Sequence, residues 1–392
     1  MKIGIITFVK CDNYGAELQA YALQKKLNLL GYDAEVIDLE KEKGVIESSF
    51  SSYKNAILNR YKQYGLIKGS LKIIELIKDK YNARKAFAAN SDKVKERHKI
   101  FEDFFNKYIK HSTKFYTLEE MRNIQSLPYN TLIAGSDQIW NYMQTRYLDV
   151  FFLMMANRWK TKKISYAASF SVNSIPQSKR AMYKQYLENM DAISVRETIG
   201  IDIVKSCSDC RAITVLDPTL LLNRNEWIEY IGKKDYLPEN KKYVVIYTLS
   251  GSHYIYTLAK KIAKKLDAEV INIKLSFSKI KGDDGITHIC NAGPREFISI
   301  FSQAVYVITD SFHGTAFSIN FNIPFTTLLN PASNINSRAL SILKLTGTES
   351  RLIYDYGENK EPDTLNIDFA PINKIIEANR EKSLNFIKEN LA

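Results

Sequence analysis

VYVITDSFHGTAFSINF, residues 305–321, is the stretch whose reading decides the fold. β-Branched residues crowd its first five positions and predict a buried strand over 305–309. A polar loop over 310–314 follows, and a renewed apolar period predicts a helix from about Thr315. In open α/β sheets ligands bind beyond the carboxyl ends of strands, where helix N-termini offer unpaired N–H groups and partial positive charge. His313 falls at that spot. There it either meets an anionic ligand while exchanging a proton near neutral pH, or caps the helix as an ordinary loop histidine, and position leaves both open.

The same grammar extends in both directions. Residues 2–7 read as a first buried strand, 10–15 as a loop, 16–31 as a helix with Leu18, Tyr21, Ala22, Leu27 and Leu30 on one face, and 34–38 as the next strand. That is the opening of a doubly wound domain, although without a GxGxxG a dinucleotide fingerprint is not supported. Apolar segments at 131–134, 163–167, 192–195 and 215–216 each end in a polar cluster, which predicts one parallel sheet with a chemically loaded carboxyl edge. After a charged, proline-bearing linker at 233–242, a second set begins: strand 243–249, helix 254–266, strand 269–273, a helix opened by GPREF at 293–297, the focal unit, and strand 325–329. An amphipathic helix over 372–391 closes the chain. The expected class is α/β, two Rossmann-like domains facing a cleft: 1–232 with a helical insertion at about 41–110, then 243–365, with 366–392 as a C-terminal helix.

Composition agrees with a soluble globular protein, since 392 residues with 45% hydrophobic and 25% charged side chains suffice for two cores. The formal net charge of +12 implies a negative partner: a phosphorylated substrate, an anionic lipid surface or nucleic acid. No aromatic-plus-basic recognition motif supports nucleic acid. The basic stretch at 41–110 reads either as a membrane-surface element or as solvated helices on the first domain. No apolar run reaches the roughly 18–20 residues that span a bilayer, and no signal-peptide pattern opens the chain, so a cytoplasmic protein is expected. Cys207 and Cys210 have redox or half-zinc-site spacing but lack a second pair, so no metal is expected.

A cleft between two such domains would be lined by Asn13, Tyr14, Asp137, Arg196, Lys274, Ser311, His313 and Arg338. Arg196, at a strand end, either grips a carboxylate or phosphate through two parallel hydrogen bonds or pairs with Glu197. Lys274 offers a point charge or is merely solvated. Asp137 and Asn13 either orient hydroxyls or cap turns. Tyr14 and Trp140 either stack on a sugar face or sit in the core.

Taken in order, GIITF with NYGAELQAYALQ, GSDQIWN, SYAASF, ISVRE, VLDPTLLL, GPREFISIF and TDSFHGTAFSINFNIPF resemble the polysaccharide pyruvyl transferase family, from Met1 to about Ile353. The resemblance implies a GT-B-like fold and phosphoenolpyruvate as co-substrate, with no further cofactor. It also implies a sugar or lipid-linked oligosaccharide acceptor, commonly a terminal galactose, that receives pyruvate as a ketal in surface polysaccharide synthesis. A nucleotide-sugar glycosyltransferase on the same architecture is the alternative. The family's SVR arginine maps to Arg196, and the histidine of its Arg-Leu-His triplet maps to His313. The other two triplet positions hold Ser311 and Phe312, still expected at the substrate, so a guanidinium is missing there; Lys274 or Arg338 is expected to supply the charge. A soluble enzyme acting on a lipid-linked sugar would gain from a basic face at the inner leaflet, so peripheral contact with an anionic membrane is a further expectation.

Overall fold

The computed structural model describes residues 1–41, 90–158, 160–233, 236–238, 240–249, 253–274, 284–331, 336–355 and 360–391. Most of the expected insertion, 42–89, and part of the expected linker lie outside the described residues.

Short runs rich in Ile, Val and Leu form strands buried on both faces, as parallel strands between helix layers must be. In the first half these are β1 (Lys2–Ile6), β2 (Asp33–Leu39), β3 (His111–Tyr116), β4 (Thr131–Ala134) and β5 (Lys162–Ser165), in the parallel order β3-β2-β1-β4-β5. A small parallel pair, β6 (Ile193–Val195) and β7 (Ala212–Thr214), continues past β5 through isolated bridges from Ile164 to Ala192 and from Ala168 to Val195. The second half holds β8 (Tyr243–Tyr247), β9 (Glu269–Ile273), β10 (Thr287–Ile289), β11 (Ala304–Thr309), β12 (Phe325–Leu329) and β13 (Leu352–Tyr354), all parallel, in the order β10-β9-β8-β11-β12-β13. Numbered within its own half, this is the 3-2-1-4-5-6 order of a dinucleotide-binding sheet, and the first sheet follows it for five strands. Each sheet therefore reverses direction at one switch point, between β1 and β4 and between β8 and β11.

The focal unit departs from expectation at its helix. The helix spans Phe312–Asn320, starting three residues before Thr315, with Ser311 at the cap position. Gly314 does not break it: a Cβ there would lie 2.2 Å from Thr309 Oγ1, so glycine lets the helix press onto the end of β11. His313 consequently sits in a helical first turn rather than in a loop.

One continuous hydrophobic core crosses between the sheets. Tyr14, opening the Tyr14–Leu29 helix, stacks on Phe297 of the Pro294–Ser302 helix with centroids 4.7 Å apart, and Trp227 meets Phe317 at 5.3 Å. An apolar contact of this kind ties the halves together, unlike the polar interfaces across which domains swing freely. The Ala370–Leu391 helix returns to the first half, where Ser383 Oγ accepts from Leu216 N at 2.9 Å and Arg380 Nε donates to the Leu220 carbonyl at 2.8 Å.

Candidate active site

Because both switch points face the same gap, the loops leaving β1, β4, β8 and β11 meet there. They deliver Asn13, Asp137 with Gln138, Tyr247 with Leu249, and Asp310 to His313, around a cavity of about 270 Å³. Asn330, Asn336 and Arg338 complete its wall from beyond β12. Asn13 also caps its helix, its Oδ1 accepting from Gly15 N at 2.9 Å and Ala16 N at 3.3 Å. A second cavity of about 420 Å³ lies on the other side of Phe312 and Arg338, which line both. Arg196, Asp217, Leu216 and Ile342 form part of its walls.

A buried charge cluster fills the region between them. Arg196, its side chain 2% exposed, donates from Nη1 to Asp217 Oδ2 at 2.8 Å and from Nε to Glu197 Oε1 at 3.1 Å, with Asp137 Oδ1 3.9 Å from Nη2. The expected pair with Glu197 thus forms without consuming the guanidinium. Nη2 has no hydrogen-bond partner among the described residues. Burial opposes its charge, but the carboxylates of Glu197, Asp217 and Asp137 outweigh burial and hold Arg196 firmly protonated. The Arg196 guanidinium also lies 4.6 Å from the centroid of the Phe312 ring.

Asp217 is fully enclosed. Its Oδ1 accepts from Thr219 N and Oγ1 at 3.0 and 2.7 Å, and Ser136 Oγ lies 3.3 Å from Oδ2. Burial pushes its pKa up, yet Arg196 and the nearby His313 prevail and leave it below the usual carboxylate value. His313 Nε2 stands 3.9 Å from Asp217 Oδ2, too far for a hydrogen bond, and has no partner among the described residues. Burial lowers the His313 pKa to about 4 despite Asp217, so the ligand-free imidazole is neutral at pH 7. Arg338 Nε is likewise without a hydrogen-bond partner among the described residues, and burial followed by the Arg196 charge lowers the Arg338 pKa. Three N–H or N positions on three cationic or proton-carrying side chains are thus buried and unmatched around one Asp217-centred cluster among the described residues, an arrangement that costs stability.

The structure brings Asn13, Asp137, Arg196, Ser311, Phe312, His313 and Arg338 to the two cavities. It does not bring Tyr14, which is fully buried in the inter-sheet aromatic cluster with its hydroxyl donating to the Ala292 carbonyl at 2.7 Å. Burial raises the Tyr14 pKa well above normal. Trp140 is core too, stacked on Phe152 at 4.3 Å. Lys274 ends β9, two strands from β11 in the sheet order, and lines neither cavity. Two strand spacings, roughly 9–10 Å, separate it from the focal unit. Of the two cations expected there, Arg338 lines both cavities and Lys274 lines neither. Sequence reading passed over Asp217 as a site residue; its signal was the polar cluster DPT at a strand end, indistinguishable there from a cap, and the side chain does cap the Pro218–Leu220 turn.

Gly15 fixes the imidazole from behind, since a Cβ there would come within 2.0 Å of His313 Nδ1. Gly15→Ala is therefore expected to push the ring off its position and lower turnover roughly a hundredfold, the scale of an ångström-sized misplacement. Comparing kcat with the thermal midpoint checks this, the midpoint moving far less than in a core truncation.

Two Rossmann-like sheets with facing switch points make a GT-B-like fold, and the cluster between them sets two arginines and a histidine around Asp217. Comparison with known families is more specific: the polysaccharide pyruvyl transferase model matches residues 13–331, and the chain belongs to that family of pyruvyl transferases. A search of curated proteins found no match. Among solved structures, UDP-GlcNAc 2-epimerase from Methanocaldococcus jannaschii is similar at 10% identity, covering 96% of this chain and 92% of that one, with a TM-score of 0.48. The UDP-GlcNAc-bound 2-epimerase from Neisseria meningitidis is similar at 9% identity, covering 100% and 93%, TM-score 0.47. A glycosyltransferase from Rickettsia africae is similar at 12% identity, covering 98% and 93%, TM-score 0.43. No helix among the described residues is long and apolar enough to cross a membrane.

Proposed function

We propose that the protein transfers pyruvate from phosphoenolpyruvate to two hydroxyls of one sugar, a terminal galactose or related hexose of a lipid-linked intermediate, closing a cyclic ketal during capsule or exopolysaccharide synthesis. The observation that carries this reading is the set of unmatched, buried nitrogens: His313 Nε2, Arg196 Nη2 and Arg338 Nε. Arg196 and Arg338 hold the donor's carboxylate and phosphate. Its negative charge raises the His313 pKa and recruits a proton to Nε2.

Delivery of that proton to the donor's methylene carbon makes a methyl group and leaves C2 as an oxocarbenium. A sugar hydroxyl attacks C2, the C2–O bond to phosphate breaks, and the second hydroxyl closes the ketal. Of the two hydroxyl protons released, one restores His313 and the other leaves with phosphate. Asp137 and Asn13 orient the hydroxyls from the first sheet's edge, and burial of the cluster keeps water from the cation. With a lipid-linked acceptor, the net charge of +12 suits work at an anionic inner leaflet.

Incubation with phosphoenolpyruvate and a panel of galactosides is expected to yield a product heavier by about 70 Da, pyruvate less water, with phosphate released in equal amount. Mass spectrometry reads it. A glycosyl-sized mass gain from a nucleotide sugar, with none from phosphoenolpyruvate, would replace this reading with the glycosyltransferase one.

A further inference from the structure

The two cavities differ in charge in a way the family match does not explain. The larger is lined by four cations, Arg196, Arg338, Lys344 and Lys382, against one carboxylate, Asp217, a net charge of +3. The smaller has one cation, Arg338, against Asp137 and Asp310, a net charge of −1 while His313 is neutral, and its remaining polar lining includes Asn13, Gln138, Asn330 and Asn336. Lys344 and Lys382 are exposed, on the Ser337–Thr346 and Ala370–Leu391 helices, whereas Arg196 and Arg338 are buried deeper in the same cavity.

Building on the proposed pyruvyl transfer, we infer that donor and acceptor use separate compartments. The phosphorylated carboxylate enters the larger cavity past Lys344 and Lys382 to reach Arg196 and Arg338. The uncharged polyol occupies the smaller one, and Phe312 is the partition across which they meet. A trianionic donor gains from graded cations along its path and is repelled by Asp137 and Asp310. Sugar hydroxyls are matched instead by carboxylate and amide groups, which accept and donate at neutral cost in charge. The apolar stretch of the larger cavity, with Leu216, Leu220 and Ile342, keeps the route dry near the methylene carbon. Phe312 lies 4.6 Å from the Arg196 guanidinium and 5.0 Å from the His313 ring, while Asp217 Oδ2, 2.8 Å from Arg196 Nη1 and 3.9 Å from His313 Nε2, keeps the donor clamp and the acid close to one another.

The test is calorimetric titration of the full-length protein with phosphoenolpyruvate and, separately, with a galactoside. In a Lys344→Glu, Lys382→Glu double variant, donor affinity is expected to fall about tenfold or more and to lose much of its salt dependence, with galactoside affinity unchanged. Gln138→Ala is expected to do the reverse. Both lysines are exposed, so an unchanged melting temperature separates the effect from misfolding. Unaltered donor binding in the double variant, or a loss confined to the galactoside, overturns the assignment. If the wild type binds no phosphoenolpyruvate at all, the pyruvyl reading fails on its own; inorganic phosphate then serves as the probe, and the compartment assignment stands only if the double variant weakens phosphate binding.

Discussion

His313→Ala is expected to lower kcat for ketal formation by at least about a hundredfold, within the range a positioned general acid supplies, while the chain stays folded. The pH dependence carries a second, independent signature. Burial holds the ligand-free imidazole near pKa 4, so the native state declines a proton that the unfolded chain accepts below its ordinary value near 6.5. The wild type should therefore lose stability as pH falls from about 6.5 toward 4, and His313→Ala should lose less over that window. Donor binding runs the other way, because the bound anion needs the imidazolium. Phosphoenolpyruvate affinity should weaken as pH rises through neutrality in the wild type, with about one proton taken up per donor bound, and this dependence should flatten in the variant. Calorimetry in buffers of different ionisation enthalpy counts the proton. Turnover within a few-fold of wild type, or identical proton uptake in both proteins, would remove His313 as the acid.

What the sequence makes legible follows the range of the forces involved. β4, β9 and β12 fall on the expected residues because a short apolar run bounded by polar residues is a local signal. β3, HSTKFY, opens with four polar residues at the sheet's edge, and β10 and β13 have three residues each, so none rises above its surroundings. Strand-end positions of Arg196, Asp137 and His313 were legible for the same local reason. Which strand ends converge was not. Lys274 has the same local credentials as Arg196 and is excluded only by strand order, while Tyr14 looks like a loop aromatic until its partner Ala292, 278 residues away, is placed against it. The three buried, unmatched nitrogens are a property of packing alone, and no sequence pattern encodes them.

Arg196→Ala should be the most damaging single change, through stability as well as activity. Removing one partner of a buried ion pair leaves the other charge enclosed and uncompensated, a cost of about 3–5 kcal/mol. Here Asp217 and Glu197 lose their guanidinium together. The loss should also deepen as pH rises. In the wild type Asp217 is held below its ordinary pKa, so its contribution is present above the carboxylate range and is lost as acid protonates it. In Arg196→Ala the buried, unpaired carboxyl prefers its proton, so the variant should grow less stable as pH rises from about 4 to 8, where the wild type does not. Asp217→Asn added to Arg196→Ala should restore much of the stability and remove the fall in stability with rising pH, since an amide fills the same space without charge, but should restore no transfer activity. Denaturant melts at several pH values, paired with phosphate release, separate the two roles. A double variant no more stable than Arg196→Ala would mean that Asp217 is not the charge Arg196 neutralises, and recovery of transfer in that variant would mean that the guanidinium never touches the donor.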